Sequence, residues 1–344
     1  MYDRTATRRR SWPRGVHRWG VGSIALAIAV LVTFLLARGD EPGAFRVEGT
    51  RLYDPHGRPF AVRGVVLPYG PFAGGPGESH DTRNFELLER DLRRVRALGA
   101  NLIRVFATPA EGAARFADLE RTVALARAEG LVVQVGAAFA SFREARPWVR
   151  RLAERFHEDP WVWIQPMNEP QCTTDEDRAA GWCADWRKWQ REHRAYVRDI
   201  RDAGVESPIV VNGPGFSFDL SPAPRYPLGD DAVLYGAHRY GNTNATFTPA
   251  ERMEVERAIA APGRRLPVLV DEVGAFNGPE FPNAIAWPDG MTRWAAAWVR
   301  RGGGNGVTGF TWRWSDPNTM LAEDERLSPW GEVFARNVLR GGRR

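Results

Sequence analysis

The chain has 344 residues, 43% of them hydrophobic and 26% charged, which excludes a disordered or fibrous protein and leaves room for one large domain or two small ones. Its formal net charge is +5, with Lys188 the only lysine, and residues 1–20 carry six arginines against Asp3. That leader holds the whole excess and the remainder is close to neutral, so the basic character describes no nucleic-acid-binding surface.

In chain order, Arg8-Arg9-Arg10, Arg14 and Arg18 precede residues 21–37, seventeen positions without a charge. Such a run can span a bilayer core, and arginines before it place the N-terminus in the cytoplasm and the rest outside. An uncleaved anchor is expected over residues 1–40. A cleaved signal peptide is the alternative, because Ala37-Arg38-Gly39 is a tolerable small-x-small site. The barrel described below is expected over residues 41–344, on the extracellular face of the membrane or secreted.

Residues 45–60 alternate apolar and polar around Asp54-Pro55-His56-Gly57, which predicts a hairpin capping the bottom of whatever follows. From Ala61 onward, short apolar runs alternate with helical patterns, the signature of βα units and a parallel sheet. The predicted strands are 61–67, 101–106, 131–137, 161–167, 209–212, 233–240, 267–272 and 307–312, eight in all. Between them lie apolar stripes at helical spacing. The clearest is Trp182, Trp186, Trp189, His193, Tyr196 and Ile200, expected to pack against the sheet as core. Eight such units over this length predict an α/β fold, the (β/α)8 TIM barrel, with the active site at the C-terminal strand ends.

Several of those ends carry chemistry. The second strand contains Arg104 in an otherwise apolar run, a cost that calls for a carboxylate partner. The fourth ends in Asn168-Glu169-Pro170, where proline forbids continuation and leaves a carboxylate at the tip. The sixth ends in His238-Arg239-Tyr240, whose alternate residues share a face. The seventh delivers Asp271-Glu272; alternation makes Glu272 the inward member and sends Asp271 the other way. The eighth ends in Phe310-Thr311-Trp312-Arg313-Trp314, and Trp312 is expected to form the floor under a sugar ring, with Trp314 sharing its parity. Two glutamates presented this way suggest the acid/base and nucleophile pair of glycoside hydrolysis. Cys172 and Cys183, eleven apart in an exported chain, predict a disulfide pinning the loop after Glu169. No ligand cluster or phosphate-binding glycine loop accompanies these residues, so no metal or organic cofactor is expected.

Together these pieces resemble the retaining (β/α)8 glycosidases, most closely the cellulase- and β-mannanase-like glycoside hydrolase family 5, over roughly residues 45–339. The resemblance implies Glu169 as acid/base, Glu272 as nucleophile, and Arg104, Asn168, His238, Tyr240 and Trp312 around the substrate. One departure stands out: the family's histidine at the end of the third strand has no counterpart in Val132-Val-Gln-Val-Gly-Ala-Ala-Phe139. The expected substrate is a β-linked glucan or mannan, with an envelope-polysaccharide transglycosylase and a non-catalytic carbohydrate-binding barrel as the alternatives.

Overall fold

The computed structural model describes residues 43–67, 84–107, 112–137, 142–170, 185–241, 246–274, 285–313, 319–322 and 324–341. By internal packing the chain divides into Met1–Gly43 and Ala44–Arg344. The apolar run of the leader, Cys172, Cys183, Trp182 and Trp314 lie outside the described residues. Among the described residues no helix is long and apolar enough to cross a membrane.

A hairpin comes first, β1 (Arg46–Glu48) against β2 (Arg51–Tyr53), with Arg46 opposite Tyr53. Its turn lies at Gly49-Thr50, where Gly49 takes φ 62. A tight hairpin turn needs a residue that tolerates positive φ, and Gly49 supplies it. The expected turn at Asp54–Gly57 follows it, pairing Tyr53 antiparallel with Pro59 and setting the Phe60 N–H on the Leu52 carbonyl, and the Asp54 side chain accepts from the backbone N–H of His56 and Arg58. Phe45 and Leu52 are buried with Leu102, Val132, Trp163, Val210, Leu234 and Leu269, so the hairpin plugs the N-terminal end of the barrel as expected. The Phe45 ring meets Phe60, Trp161 and Trp163 edge-on at 5.0, 5.0 and 5.2 Å.

The barrel is closed by parallel pairing in the order β10-β3-β4-β5-β6-β7-β8-β9. Its strands are β3 (Val62–Val66), β4 (Leu102–Ala107), β5 (Val132–Ala137), β6 (Val162–Gln165), β7 (Ile209–Asn212), β8 (Val233–Tyr240), β9 (Val268–Gly274) and β10 (Gly306–Gly309). Closure leaves no free sheet edge. Buried on both faces, the strands show as near-continuous apolar runs, which is why they were visible in the sequence. Several ends differ from expectation, β6 stopping at Gln165 among them, and in the last two strands β9 runs on to Gly274 and β10 stops at Gly309. Both differences matter for the site.

The helices around the barrel are α1 (Phe85–Leu98), α2 (Gly112–Ala128), α3 (Phe142–Phe156), α4 (Trp186–Asp202), α5 (Pro249–Val255), α6 (Ala286–Arg300) and α7 (Pro329–Phe334). The Asn84 side chain accepts from the Leu87 N–H at the start of α1, and Gly99 ends that helix at φ 114, the usual asymmetry of polar N-cap and glycine C-cap. On α4, capped by Asp185, the predicted stripe is the buried face: Trp189, His193, Tyr196 and Ile200 are all inside. The Trp189 indole donates to the Asn212 carbonyl at 2.8 Å, tying the helix to the end of β7.

Beyond β10 the chain is latched onto α1 by charge. The Arg313 guanidinium donates from Nε and Nη2 to the two oxygens of Asp91 at 2.5 and 2.9 Å, and it also meets Glu325. Side-chain exposure is 9% for Arg313 and 0% for Asp91. A charge at this depth is tolerated only while paired. Asp91→Ala should therefore lower the unfolding free energy by about 3–5 kcal/mol by leaving Arg313 without that partner. Chemical denaturation of the variant against the parent checks the figure, and Asp91→Asn should recover part of the loss.

Candidate active site

The barrel interior is layered by the strand alternation. Val62, Leu102, Val132, Trp163, Val210, Leu234 and Leu269 form the apolar lower layer over the hairpin. Two residues further along each strand the inward side chains turn polar: Arg104 on β4, Gln134 on β5, Gln165 on β6, Asn212 on β7 and Asp271 on β9, each 0% exposed. Above them, at the C-terminal ends, stand Asn168, Glu169, His238, Tyr240 and Glu272. Gly236 makes room for the middle layer, since a Cβ there would lie 2.4 Å from Asp271 Oδ1 and 2.6 Å from Asn212 Nδ2.

Arg104 is the hub. It donates from Nε to Gln165 Oε1 at 3.0 Å, from Nη1 to Glu272 Oε2 and from Nη2 to Asn168 Oδ1. Its guanidinium also lies 4.6 Å over the Phe106 ring, a cation–π contact within β4. Tyr240 donates to the other carboxylate oxygen, Oε1 of Glu272, at 2.5 Å, so both oxygens of Glu272 are fixed by donors from different strands. Gly274 permits this, because a Cβ at that position would lie 2.3 Å from the Tyr240 ring. Burial, with the Glu272 charge beside it, pushes the Tyr240 phenol well above its usual value. It therefore stays a donor.

Glu169 follows β6 in a left-handed conformation, φ 43. That is uncommon for a residue with a Cβ and persists only where the surroundings enforce it. Here they do: the Asn168 N–H donates to the Ala137 carbonyl at 2.7 Å, and the Gly215 N–H to the Pro170 carbonyl at 3.1 Å, on either side of Glu169. Its carboxylate accepts from His238 Nδ1 at 2.7 Å. One oxygen of Glu169, one of Glu272 and a ring nitrogen of His238 all lie within 4.8 Å of one another.

His238 faces acid on every side: Glu169, Glu272 at 3.7 Å from Nδ1, and Asp271 at 3.2 Å from Nε2. Burial alone would strip its proton, yet the Glu272 and Asp271 charges, with the hydrogen bond to Glu169, push its pKa up to about 10. Burial works against ionisation of Asp271 too, but His238 and Arg104 hold its carboxyl below the usual range.

Five of the sequence-predicted residues thus converge with Arg104: Asn168, Glu169, His238, Tyr240 and Glu272. Two expectations are corrected. Asp271 does not point away: alternation from Leu269 already aims it inward. Between β8 and β9 the register then passes from Ala237 opposite Val270 to His238 opposite Glu272. That β-bulge places two β9 residues against one and returns Glu272 to the same face. Trp312 does not floor the site. It is 0% exposed, and its ring lies 5.6 Å from the Arg94 guanidinium of α1. Because β10 ends at Gly309, strand parity no longer governs Trp312. The ring at the cleft is Phe310, partly exposed and 5.9 Å from the Tyr240 ring. Gln134, Gln165 and Asn212 were missed altogether, although each interrupts an apolar run at the same inward parity as Arg104. That was the available signal.

A rim feature lies beside Glu169. Gly215, Phe216 and Ser217 are all left-handed, at φ 66, 60 and 60, and leave the Phe216 ring 42% exposed. The turn is fastened from below, where Ser217 Oγ accepts from the Gly213 N–H at 2.8 Å and donates to the Gly236 carbonyl.

The family model described as cellulase (glycosyl hydrolase family 5) matches residues 54–318. Cellulase CelDZ1 of a Thermoanaerobacterium species is 26% identical over 161 residues, 45% of this chain and 41% of that protein's length. Among solved structures, β-glucanase SdGluc5_26A from Saccharophagus degradans aligns with a TM-score of 0.67 at 18% identity, covering 86% of this chain and 93% of that one. The catalytic domain of the major endoglucanase from Xanthomonas campestris aligns at 0.68 and 17% identity, over 86% and 99%. The endocellulase of Pyrococcus horikoshii aligns at 0.66 and 15%, over 85% and 98%. At these identities the structural likeness concerns the fold.

A folded-state pKa near 10 for His238, above the usual histidine value of about 6.5, means that the proton stabilises the native state fully below about 6.5. That contribution is lost as the pH rises through about 10. The denaturation midpoint should fall between pH 6.5 and pH 10, and His238→Asn should flatten that slope in parallel unfolding titrations.

Proposed function

The chain belongs to glycosyl hydrolase family 5, and on that premise we propose that it is a retaining hydrolase of β-linked glucan, working by double displacement with Glu272 as nucleophile and Glu169 as acid/base. The observation that carries this reading is the approach of the two carboxylates. One oxygen of each lies within 4.8 Å of the other, close to the carboxyl separation of about 5–5.5 Å typical of retaining enzymes and short of the gap that admits a water in inverting ones.

In the first step Glu272 attacks the anomeric carbon while Glu169 protonates the leaving oxygen. In the second, Glu169 takes a proton from water as that water displaces Glu272, and the sugar leaves with its configuration retained. Arg104 and Tyr240 hold the nucleophile's oxygens and so restrict its carboxylate to one orientation. Asn168 accepts from Arg104 at its Oδ1, which leaves the amide nitrogen to meet a sugar hydroxyl, a contact that strengthens in the transition state. Phe310 replaces Trp312 as the aromatic surface for the sugar at the cleavage point. Phe216, 42% exposed on the turn that Gly215 ties to Pro170, offers a second aromatic surface for the sugar on the leaving-group side.

Glucan is favoured over mannan because the relatives carry the names cellulase, β-glucanase and endoglucanase. Carbohydrate is the partner this site calls for, and the leader supports placing the barrel on the extracellular face.

Glu272→Ala should retain the fold and lose at least about 10³-fold in kcat, the order expected for removing a covalent nucleophile. Azide should restore part of the rate with an activated aryl β-cellobioside, giving the glycosyl azide of inverted configuration. A variant keeping near-parental rates sinks the assignment. Proton NMR of fresh hydrolysate should show the β-anomer first. A parallel screen over β-1,4-glucan, β-1,3-glucan and β-1,4-mannan decides the substrate, with turnover of mannan alone overturning the glucan choice.

A further inference from the structure

We propose that Asp271 is a positioning residue for the acid/base, acting through His238: it holds the imidazole as a permanent cation whose Nδ1–H keeps Glu169 in place through both halves of the reaction. This rests on the reading of Glu169 as acid/base. Asp271 does not touch the cleft. It is 0% exposed in the layer beneath, with its Oδ1 3.2 Å from His238 Nε2, an ion-pair contact off the line of a straight hydrogen bond. On the other side of the ring, Nδ1 lies 2.7 Å from Glu169 Oε1.

A buried carboxylate is costly unless a charge requires it. The neutral neighbours of Asp271 do not. Gln165 Nε2, Asn212 Nδ2 and Gln134 Nε2 approach at 3.2, 3.3 and 3.4 Å, contacts that an amide oxygen would accept as well. Arg104 Nη2 is further off, at 3.8 Å, and is committed to Glu272, Asn168 and Gln165. The group that needs the charge is His238.

The charged and titratable groups facing that ring are Glu169 from the end of β6, Asp271 and Glu272 from β9, Arg104 from β4 behind Glu272, and Tyr240 further along β8. Two of the three carboxylates change charge in every turnover. Glu169 begins protonated and becomes an anion when it gives its proton to the leaving oxygen. Glu272 begins as an anion and becomes neutral as its ester bond to the sugar forms. The negative charge on the cleft side therefore moves from 3.7 Å to 2.7 Å from Nδ1 and back. Asp271 alone stays constant. Placed behind the ring, it keeps both ring protons in position while the charges in front exchange, so Glu169 meets the same donor as acid and as base.

The β9 bulge is what makes this arrangement possible. A strictly alternating β9 could bring either Asp271 or Glu272 inside, and the proposal needs both.

The test is Asp271→Asn, which keeps shape and most hydrogen bonds but removes the charge. Nitrogen NMR of the histidine side chains in the full chain should show both ring nitrogens of His238 protonated at pH 8 in the parent. In the variant the ring should titrate below that pH. The pH profile of kcat/KM on an aryl β-cellobioside should lose its alkaline side, the ratio of pH 8 to pH 5 values falling about tenfold or more, the rate equivalent of about one pH unit. A singly protonated His238 in the parent at pH 8 overturns the proposal without any variant. So does a loss of rate in Asp271→Asn that is equal at every pH. Failure of the Glu169 reading shows elsewhere: Glu169→Ala would then slow activated and unactivated leaving groups alike, while the imidazole titration still reports on the Asp271–His238 pair.

Discussion

A guanidinium with no solvent contact sits at the centre of this barrel, and the upper interior is arranged to satisfy it. Arg104 reaches Glu272 on β9, Asn168 beyond β6, Gln165 on β6 and the ring of Phe106 on its own strand. A buried ion pair contributes little net stability against an apolar replacement, but losing one partner is costly. The arrangement is best understood as stability given up for fixed geometry. Strands that could have been filled with valine and leucine carry amides and charges instead, and their donors hold the carboxylates in one orientation before any sugar arrives.

The lower interior bears the opposite load. Phe45 and Leu52 from the hairpin close the barrel floor against Trp163 and the first inward residue of most strands, a dry layer that keeps water from reaching the polar one from below. On the outside, α4 packs its Trp189–Ile200 stripe against the sheet, and Arg313 latches the chain after β10 to α1. The site itself is where local rules are broken: Glu169 and Phe216 in left-handed backbone, Asp271 and Glu272 consecutive on one face, His238 charged without solvent. Such violations persist only when a rigid frame enforces them, and eight strands closed without a free edge provide that frame.

Charge balance joins these features. Arg104 and His238 supply two positive charges in the interior, facing the carboxyl groups of Asp271, Glu272 and Glu169. Burial of most of these groups lowers the local dielectric, and such a site is where oriented donors act most strongly on developing charge.

The amino-acid order by itself determined the barrel, because strands covered on both faces must be continuously apolar and helices between them must carry one apolar stripe. It also determined most of the site, because Arg104 inside an apolar run and carboxylates at Pro- or Gly-terminated strand ends are too costly to be incidental. What it could not determine were the features that depend on a neighbouring strand. Parity within β9 cannot foresee a bulge set by its register with β8, so Asp271 was sent outward. Parity carried past Gly309 pointed to Trp312, whereas the strand had already ended and Phe310 was left at the cleft. Gln134, Gln165 and Asn212 acquire meaning only once the ring closes and their side chains meet across it. Side-chain direction along one strand is local, but register, strand termination and contact across the barrel are properties of the assembled sheet, and only tertiary structure decides them.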